Sequence, residues 1–260
     1  MHQTIKRVYL HYIIMTEAIE RYIRRNSFTE FTPKAVLFDM DGVLYNSMPN
    51  HAKAWVKCMT DCGVTMSEEE AYMCEGMRGV ETIQLIAGRQ WKREITTEEA
   101  ESIYRKKSEI YSKLPEAELI NGVYNLQKSI VKRGWTIGVV TGSGQKSLLQ
   151  RIENDFEGLV SPDVLVCAKD VNHGKPAPDP YIKGMEKAGT RPWETIVIEN
   201  APLGVRAAVA AHCFTIAVNT GPLPHSILEQ EGADMVFPSM DALNESLARI
   251  FPSDGDNPSC

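Results

Sequence analysis

The sequence predicts an α/β protein: a doubly wound, mainly parallel Rossmann-like sheet, with a small all-helical cap domain inserted after the first strand. Three observations carry that expectation. Short runs of apolar, largely β-branched residues recur down the chain with helical segments between them, which is how strands buried on both faces read. The alternation is interrupted once, after the first run, by a stretch without strands. The informative runs also end on polar residues, as strands do where an open parallel sheet meets its ligand.

In chain order, residues 1–32 come first. "MHQTIKRVYLHYIIM" sets a basic pair before a short apolar stretch, a faint likeness to a signal peptide. His11 and the lack of a small-residue cleavage site argue against it. The segment reads as an appended amphipathic extension, unless Met15 is the true start. The first strand begins at Ala35, and the α/β core is expected over 33–48 and 119–252. The cap, 49–118, carries its own helix starts: Ser67 with Glu70, and Thr96 with Glu99, have the spacing of capping boxes. After the second, Ala100, Ile103, Tyr104, Ile110, Tyr111 and Leu114 share one helical face. Beyond the cap, "WTIGVV", "DVLVCA", "TIVIEN", "CFTIAV" and "DMVF" read as strands. Val123, Leu126 and Ile130, then Val205, Ala208 and Val209, mark helices between them. The tail 253–260 is polar and turn-rich and is expected to be disordered.

Composition narrows the function. A chain of 260 residues has room for two folding units, and 43% hydrophobic with 24% charged residues is ordinary for a soluble protein. No apolar run approaches bilayer length, so no membrane partner is expected. A net charge of -6 with the signs intermixed argues against nucleic acid, and an anionic ligand would need a local cation. The six cysteines are scattered without clustered histidines, which favours reduced thiols over a zinc site. A cytoplasmic monomer is expected.

The chemistry gathers at strand ends. Asp39 and Asp41, two apart on an extended chain, point to the same side. Carboxylates that close tolerate each other only beside a cation or a shared proton, although a solvated turn would also use Asp and Gly. "WTIGVV" ends on Thr141, Gly142 and Ser143, "TIVIEN" on Glu199 and Asn200, and Lys175 sits between them in "GKPAPDP". Each has a plainer use: Lys175 as a surface lysine, Thr141 and Ser143 as helix caps. His51 is as readily a packed histidine as a ligand-facing one, and His173, His212 and His225 read as structural.

In that order, "DMDGVL", "VVTGS", "GKPAPDP" and "VIENAPLG" resemble the four motifs of the haloacid dehalogenase superfamily. The insert resembles the cap of its β-phosphoglucomutase-like branch, whose H-x-x-A-W pattern stands here as His51, Ala54 and Trp55. The resemblance implies that Asp39 attacks phosphorus and forms an aspartyl-phosphate, with Asp41 as acid and base. It implies Mg2+ held by Asp39, the Asp41 carbonyl, Glu199 and Asn200, with Thr141, Gly142, Ser143 and Lys175 gripping the phosphoryl oxygens. Gly42 permits the turn that places Asp41.

The substrate expectation rests on departures from the mutase pattern. Where a sugar phosphomutase of this branch has a lysine–glycine pair in its cap, this chain has Glu75 and Gly76. The arginine expected soon after is replaced by Gly79, with Arg78 one residue away. Stretches including "SMPNHAKAW", "EEEAYMCEGM" and "FTIAVNTGPL" resemble bacterial inorganic pyrophosphatases of the branch. The favoured expectation is therefore pyrophosphate hydrolysis, with a β-phosphoglucomutase or small sugar-phosphate phosphatase as the alternative. A catalytically silent phosphate-binding module is the reading from another class, and a binder has no need of both Asp39 and Asp41. Glu75 could instead be a solvated acid on the cap, and Asn200, where an aspartate is common, removes one charge from the site.

Overall fold

A computed structural model describes residues 2–143 and 146–252, with the side chains of 14–143 and 150–252. The tail at 253–260 lies outside the described residues.

Six strands form one sheet in the order β3-β2-β1-β4-β5-β6, every neighbouring pair parallel. They are β1 (Ala35–Phe38), β2 (Thr136–Val140), β3 (Leu165–Val166), β4 (Thr195–Glu199), β5 (Phe214–Val218) and β6 (Met235–Phe237). β1, β4 and β5 are buried at every residue, which explains runs that are continuously apolar rather than alternating. Val36, Phe38, Ile196 and Ile198 face one side and pack with α6 (Val123–Lys132) and α11 (Met240–Ile250). Leu37, Val140 and Val197 face the other and meet α8 (Asp179–Ala188) and α9 (Pro202–Ala210). β1 and β4 lie side by side where the strand order reverses, the place where such sheets bind ligands.

The 1–32 segment is more than an appendage. α1 (His2–Asn26) buries Met15, Ala18 and Tyr22 completely in the cluster that holds the central strands. The Tyr22 hydroxyl lies 2.9 Å from both the Pro192 and His212 carbonyl oxygens, and Arg25 pairs with the buried Asp234 at 3.0 Å. Burying two side chains of that size stabilises the fold by about 1.5–3 kcal/mol each.

The insert contains α2 (Met48–Asp61), α3 (Glu68–Met73), α4 (Gly79–Trp91) and α5 (Thr97–Tyr111), closed around Trp55, Met59, Ile83, Ile86 and Ile103. Ser67 and Glu70 form the reciprocal capping box at α3. At α5 only half of the expected box forms. Thr96 accepts from the Glu99 N–H, but the Glu99 carboxylate has turned to Arg93, at 2.6 and 2.8 Å. Leu114, expected on the same helical face, lies beyond the end of α5. The chain entering the cap and the chain leaving it are tied together, Asn46 N–H to Glu118 O at 2.8 Å and Ile120 N–H to Leu44 O at 2.9 Å.

Candidate active site

Asp39 follows β1 directly, its N–H donating to Ile198 O at 3.0 Å, so the two central strands fix its position. Beneath it lies Lys175, 1% exposed, so the surface-lysine reading does not hold. Its ammonium donates to Asp39 Oδ1, to Glu199 Oε1 at 2.6 Å and to Val140 O at 3.3 Å. Glu199 Oε1 also accepts from the Tyr181 hydroxyl at 2.5 Å, while Oε2 takes the Asn200 and Ala201 N–H groups at 3.0 and 3.3 Å. Four donors thus occupy the Glu199 carboxylate. Burial, reinforced by Glu199 and Asp41 and opposed by Lys175, raises Asp39 to about 7. Burial opposes the Lys175 charge, yet the two carboxylates hold its proton and raise it. Removing one partner from so buried a set typically costs about 3–5 kcal/mol.

Asp41 is turned into the same space by Gly42, whose φ of +74° only glycine adopts freely and where any side chain would strike Asn200 Nδ2. Ser47 Oγ donates to Asp41 Oδ1 at 2.5 Å, and His51 Nε2 stands 3.2 Å from the same oxygen without hydrogen-bond alignment. Burial alone would raise Asp41, but His51 and Ser47 hold it down at about 2, so it is ionised. Behind His51, stacked on Tyr111 at 4.2 Å, is Lys107, whose Nζ lies 2.6 Å from Nδ1. An ammonium must donate there, which leaves the neutral ring's proton on Nε2, facing Asp41. The rings of Tyr111, Trp55 and Tyr104 surround the ammonium at 5.0, 5.2 and 5.9 Å. Burial lowers Lys107 to about 8, and burial with the nearby Lys107 charge lowers His51.

Glu75 reaches in from the cap. It is 6% exposed, which excludes the solvated acid, and its Oε1 accepts from Asn200 Nδ2 at 3.0 Å. Burial and the neighbouring Asp39 raise it well above the usual carboxylate range. Asn200 Oδ1 is buried with no hydrogen-bond partner. Among the described residues no three His, Cys, Asp or Glu side chains gather as a metal-holding group. The Asn200 oxygen, with the Glu75 carboxylate hydrogen-bonded to its amide and with Asp39 and Glu75 together lining one chamber, is nonetheless the donor type that magnesium takes.

These groups enclose a chamber of about 60 Å³, lined by Asp39, Asp41, His51, Glu75, Gly142 and Ser143, with Gly76 on the same wall. Thr141 is not on the wall. It is 4% exposed, and its Oγ1 accepts from Ser143 N–H at 3.0 Å, which folds the loop rather than capping a helix. Arg78 lines a separate groove and donates to Asn172 O at 2.8 Å. Of the remaining histidines, His173 meets Asp179 at 2.9 Å and His212 meets Asn26 at 2.7 Å, both away from the chamber.

Three participants were not anticipated. Lys107 lies on the apolar face of α5, four residues from both Ile103 and Tyr111, and that position was the available signal. Ser47 stands at the N-cap of α2, yet its hydroxyl serves Asp41 rather than the helix. Tyr181 carries no signal in sequence.

Residues 36–218 match the family model described as haloacid dehalogenase-like hydrolase. Hexitol phosphatase A of Escherichia coli (strain K12) is 30% identical over 212 residues, 81% of this chain and 93% of that protein. Beta-phosphoglucomutase of Bacillus subtilis is 26% identical over 196 residues, 72% of this chain and 86% of that one. A solved structure from Bacteroides vulgatus, provisionally named a beta-phosphoglucomutase, superposes with a TM-score of 0.88 at 45% identity, covering 92% of this chain and 97% of that one.

Proposed function

Because the chain belongs to the haloacid dehalogenase-like hydrolases, we propose that it is a magnesium-dependent phosphatase acting through Asp39 on small sugar phosphates. The observation that carries this reading is Asp39 and Asp41 on one chamber wall, with Lys175 buried between Asp39 and Glu199.

Lys175 occupies Oδ1 of Asp39 and leaves Oδ2 to attack phosphorus. As that bond forms, the bond from phosphorus to the leaving oxygen breaks, and the leaving oxygen needs a proton. Asp41, ionised in the ligand-free chamber, takes up a proton as the phosphate's negative charge arrives and delivers it there. Water then attacks phosphorus and breaks its bond to Asp39, an acyl phosphate, giving its proton back to Asp41. His51 and Lys107 orient Asp41 through this cycle. Asp39, the Asp41 carbonyl and Asn200 Oδ1 would hold magnesium with Glu75 alongside, while the four donors on Glu199 suit it to positioning Lys175. When bound, magnesium offsets the repulsion between Asp39 and the incoming phosphate. Free thiols at Cys58, Cys62, Cys74, Cys167 and Cys213 fit a reducing cytoplasm.

The relatives' names support sugar and polyol phosphates over pyrophosphate. Pyrophosphate remains as a second reading on one observation: Glu75 stands inside a very small chamber, where it would meet a metal-wrapped anion. A substrate panel decides between them, with magnesium and with chelator: hexitol 6-phosphate, 2-deoxyglucose 6-phosphate, β-glucose 1-phosphate and pyrophosphate. The highest kcat/KM on a sugar or polyol phosphate supports the proposal, and the highest on pyrophosphate gives the second reading. Glucose 6-phosphate formed without phosphate release indicates a mutase. No turnover of any substrate leaves the silent module.

A further inference from the structure

The chamber is not the only space at the boundary between cap and core. An open groove of about 860 Å³ runs beside it, walled by Arg78, Glu101, Arg105, Glu109 and Lys169. Chamber and groove share three lining residues among those described: Gly79, Tyr104 and Gly142. Two of these have no side chain. Tyr104 is therefore the one side chain that stands in both walls.

The packing explains why the ring stays there. A side chain at Gly79 would collide with Tyr104 Cδ2 and Cε2, so the ring lies directly against the start of α4. On its other side are Trp55, at 6.2 Å between centroids, and the Lys107 ammonium. The Tyr104 carbonyl accepts from Ser108 Oγ at 3.0 Å, which holds this turn of α5. At Gly142 an added Cβ would stand 3.1 Å from Gly76 O, so cap and core backbones approach closely there.

Size decides what the partition does. The chamber is narrow, about 60 Å³ against about 860 Å³ for the groove. The groove falls within the roughly 300–1,000 Å³ typical of small-molecule sites. A phosphoryl group held at Asp39 has no room beside it for a six-carbon polyol, which must extend past Tyr104. The groove walls suit such a group, since three cations nearly balance two carboxylates and Arg78 is already committed to Asn172 O.

We propose that the Tyr104 ring is the septum between these spaces and sets the size of leaving group that the enzyme accepts. The proposal rests on the phosphatase reading above. The test compares kcat/KM for hexitol 6-phosphate with that for glycerol 1-phosphate in the native enzyme, Tyr104→Phe, Tyr104→Leu and Tyr104→Ala. The ratio of large to small substrate should rise by about tenfold or more in Tyr104→Ala, less in Tyr104→Leu, and change by no more than about twofold in Tyr104→Phe. The same series measured as affinities in an Asp39→Asn background, with inorganic phosphate as the smallest ligand, gives the readout without turnover. Turnover with a ratio indifferent to residue 104 overturns the septum alone. Size-dependent affinity without turnover overturns the phosphatase reading alone. Failure of all three phosphates to bind overturns both, and circular dichroism of Tyr104→Leu and Tyr104→Phe guards against an unfolded Tyr104→Ala.

Discussion

Replacing Lys107 with methionine should uncouple stability from activity, and the effect has a sign fixed by pH. Lys107 is 3% exposed, and burial lowers it from 10.5 to about 8. At about 1.36 kcal/mol per pH unit, that gap corresponds to roughly 3 kcal/mol. Below pH 8 folded and unfolded chains both carry the proton, and the native state bears the whole burden of the buried charge. Between pH 8 and 10.5 the unfolded chain still holds the proton and the folded chain has lost it, so native stability rises with pH. Methionine fills similar volume and has no proton to lose. Contacts that do not titrate shift both proteins' curves without changing their slopes. The stability of Lys107→Met relative to the native enzyme should therefore fall by about 2–3 kcal/mol from pH 7 to pH 10.5. Urea unfolding at stepped pH measures it. Activity should move independently of that trend, because His51 loses the donor that fixes its tautomer, and kcat should drop about 10-fold or more. Parallel stability curves for the two proteins, or unchanged kcat, would refute the reasoning.

Asn200→Asp should make metal binding visible in thermal unfolding. Without metal, the new carboxylate faces Glu75 across a former 3.0 Å hydrogen bond and lowers Tm; added magnesium should then raise Tm more than in the native enzyme. An equal response, or none, would count against an oxygen-lined metal site at Asn200. Tyr22→Ala should lose about 3–5 kcal/mol in denaturant unfolding, because it empties a fully buried site and removes a shared hydroxyl from the Pro192 and His212 carbonyls. A loss below about 1 kcal/mol would return α1 to the role of an appendage.

Much of this was legible because its causes are local. Strands buried on both faces read as unbroken apolar runs, and all five expected beyond the cap are present. Asp39, Glu199 and Asn200 follow from strand ends, since a parallel sheet delivers those residues to one edge. What was not legible depends on contacts between distant segments. That Lys175 is buried follows from Asp39 and Glu199 arriving from two other strands. Ser47 has the appearance of an ordinary helix cap, and only the turn at Gly42 brings Asp41 to it. The 1–32 segment has an amphipathic pattern in sequence, but the pocket that receives Tyr22 is built from residues near 192, 212 and 214. Arg78 was expected at the substrate because it stands one residue from the position where the mutase pattern has its arginine. At the N-cap of α4 it lines the groove beside the chamber, not the chamber itself.

The central claim is that Asp39 carries the phosphoryl group, and trapping that adduct tests it most directly. In an Asp41→Asn variant, Asp39 should still attack the substrate's phosphorus when the leaving group is good, yet the aspartyl-phosphate should hydrolyse slowly, because water then lacks its base. Mixed with magnesium and acetyl phosphate, quenched in acid and digested, the variant should yield a phosphorylated peptide whose modification maps to Asp39, absent from Asp39→Asn. Phosphate released by the native enzyme with no adduct at Asp39 in Asp41→Asn, or an adduct at another residue, would contradict the account.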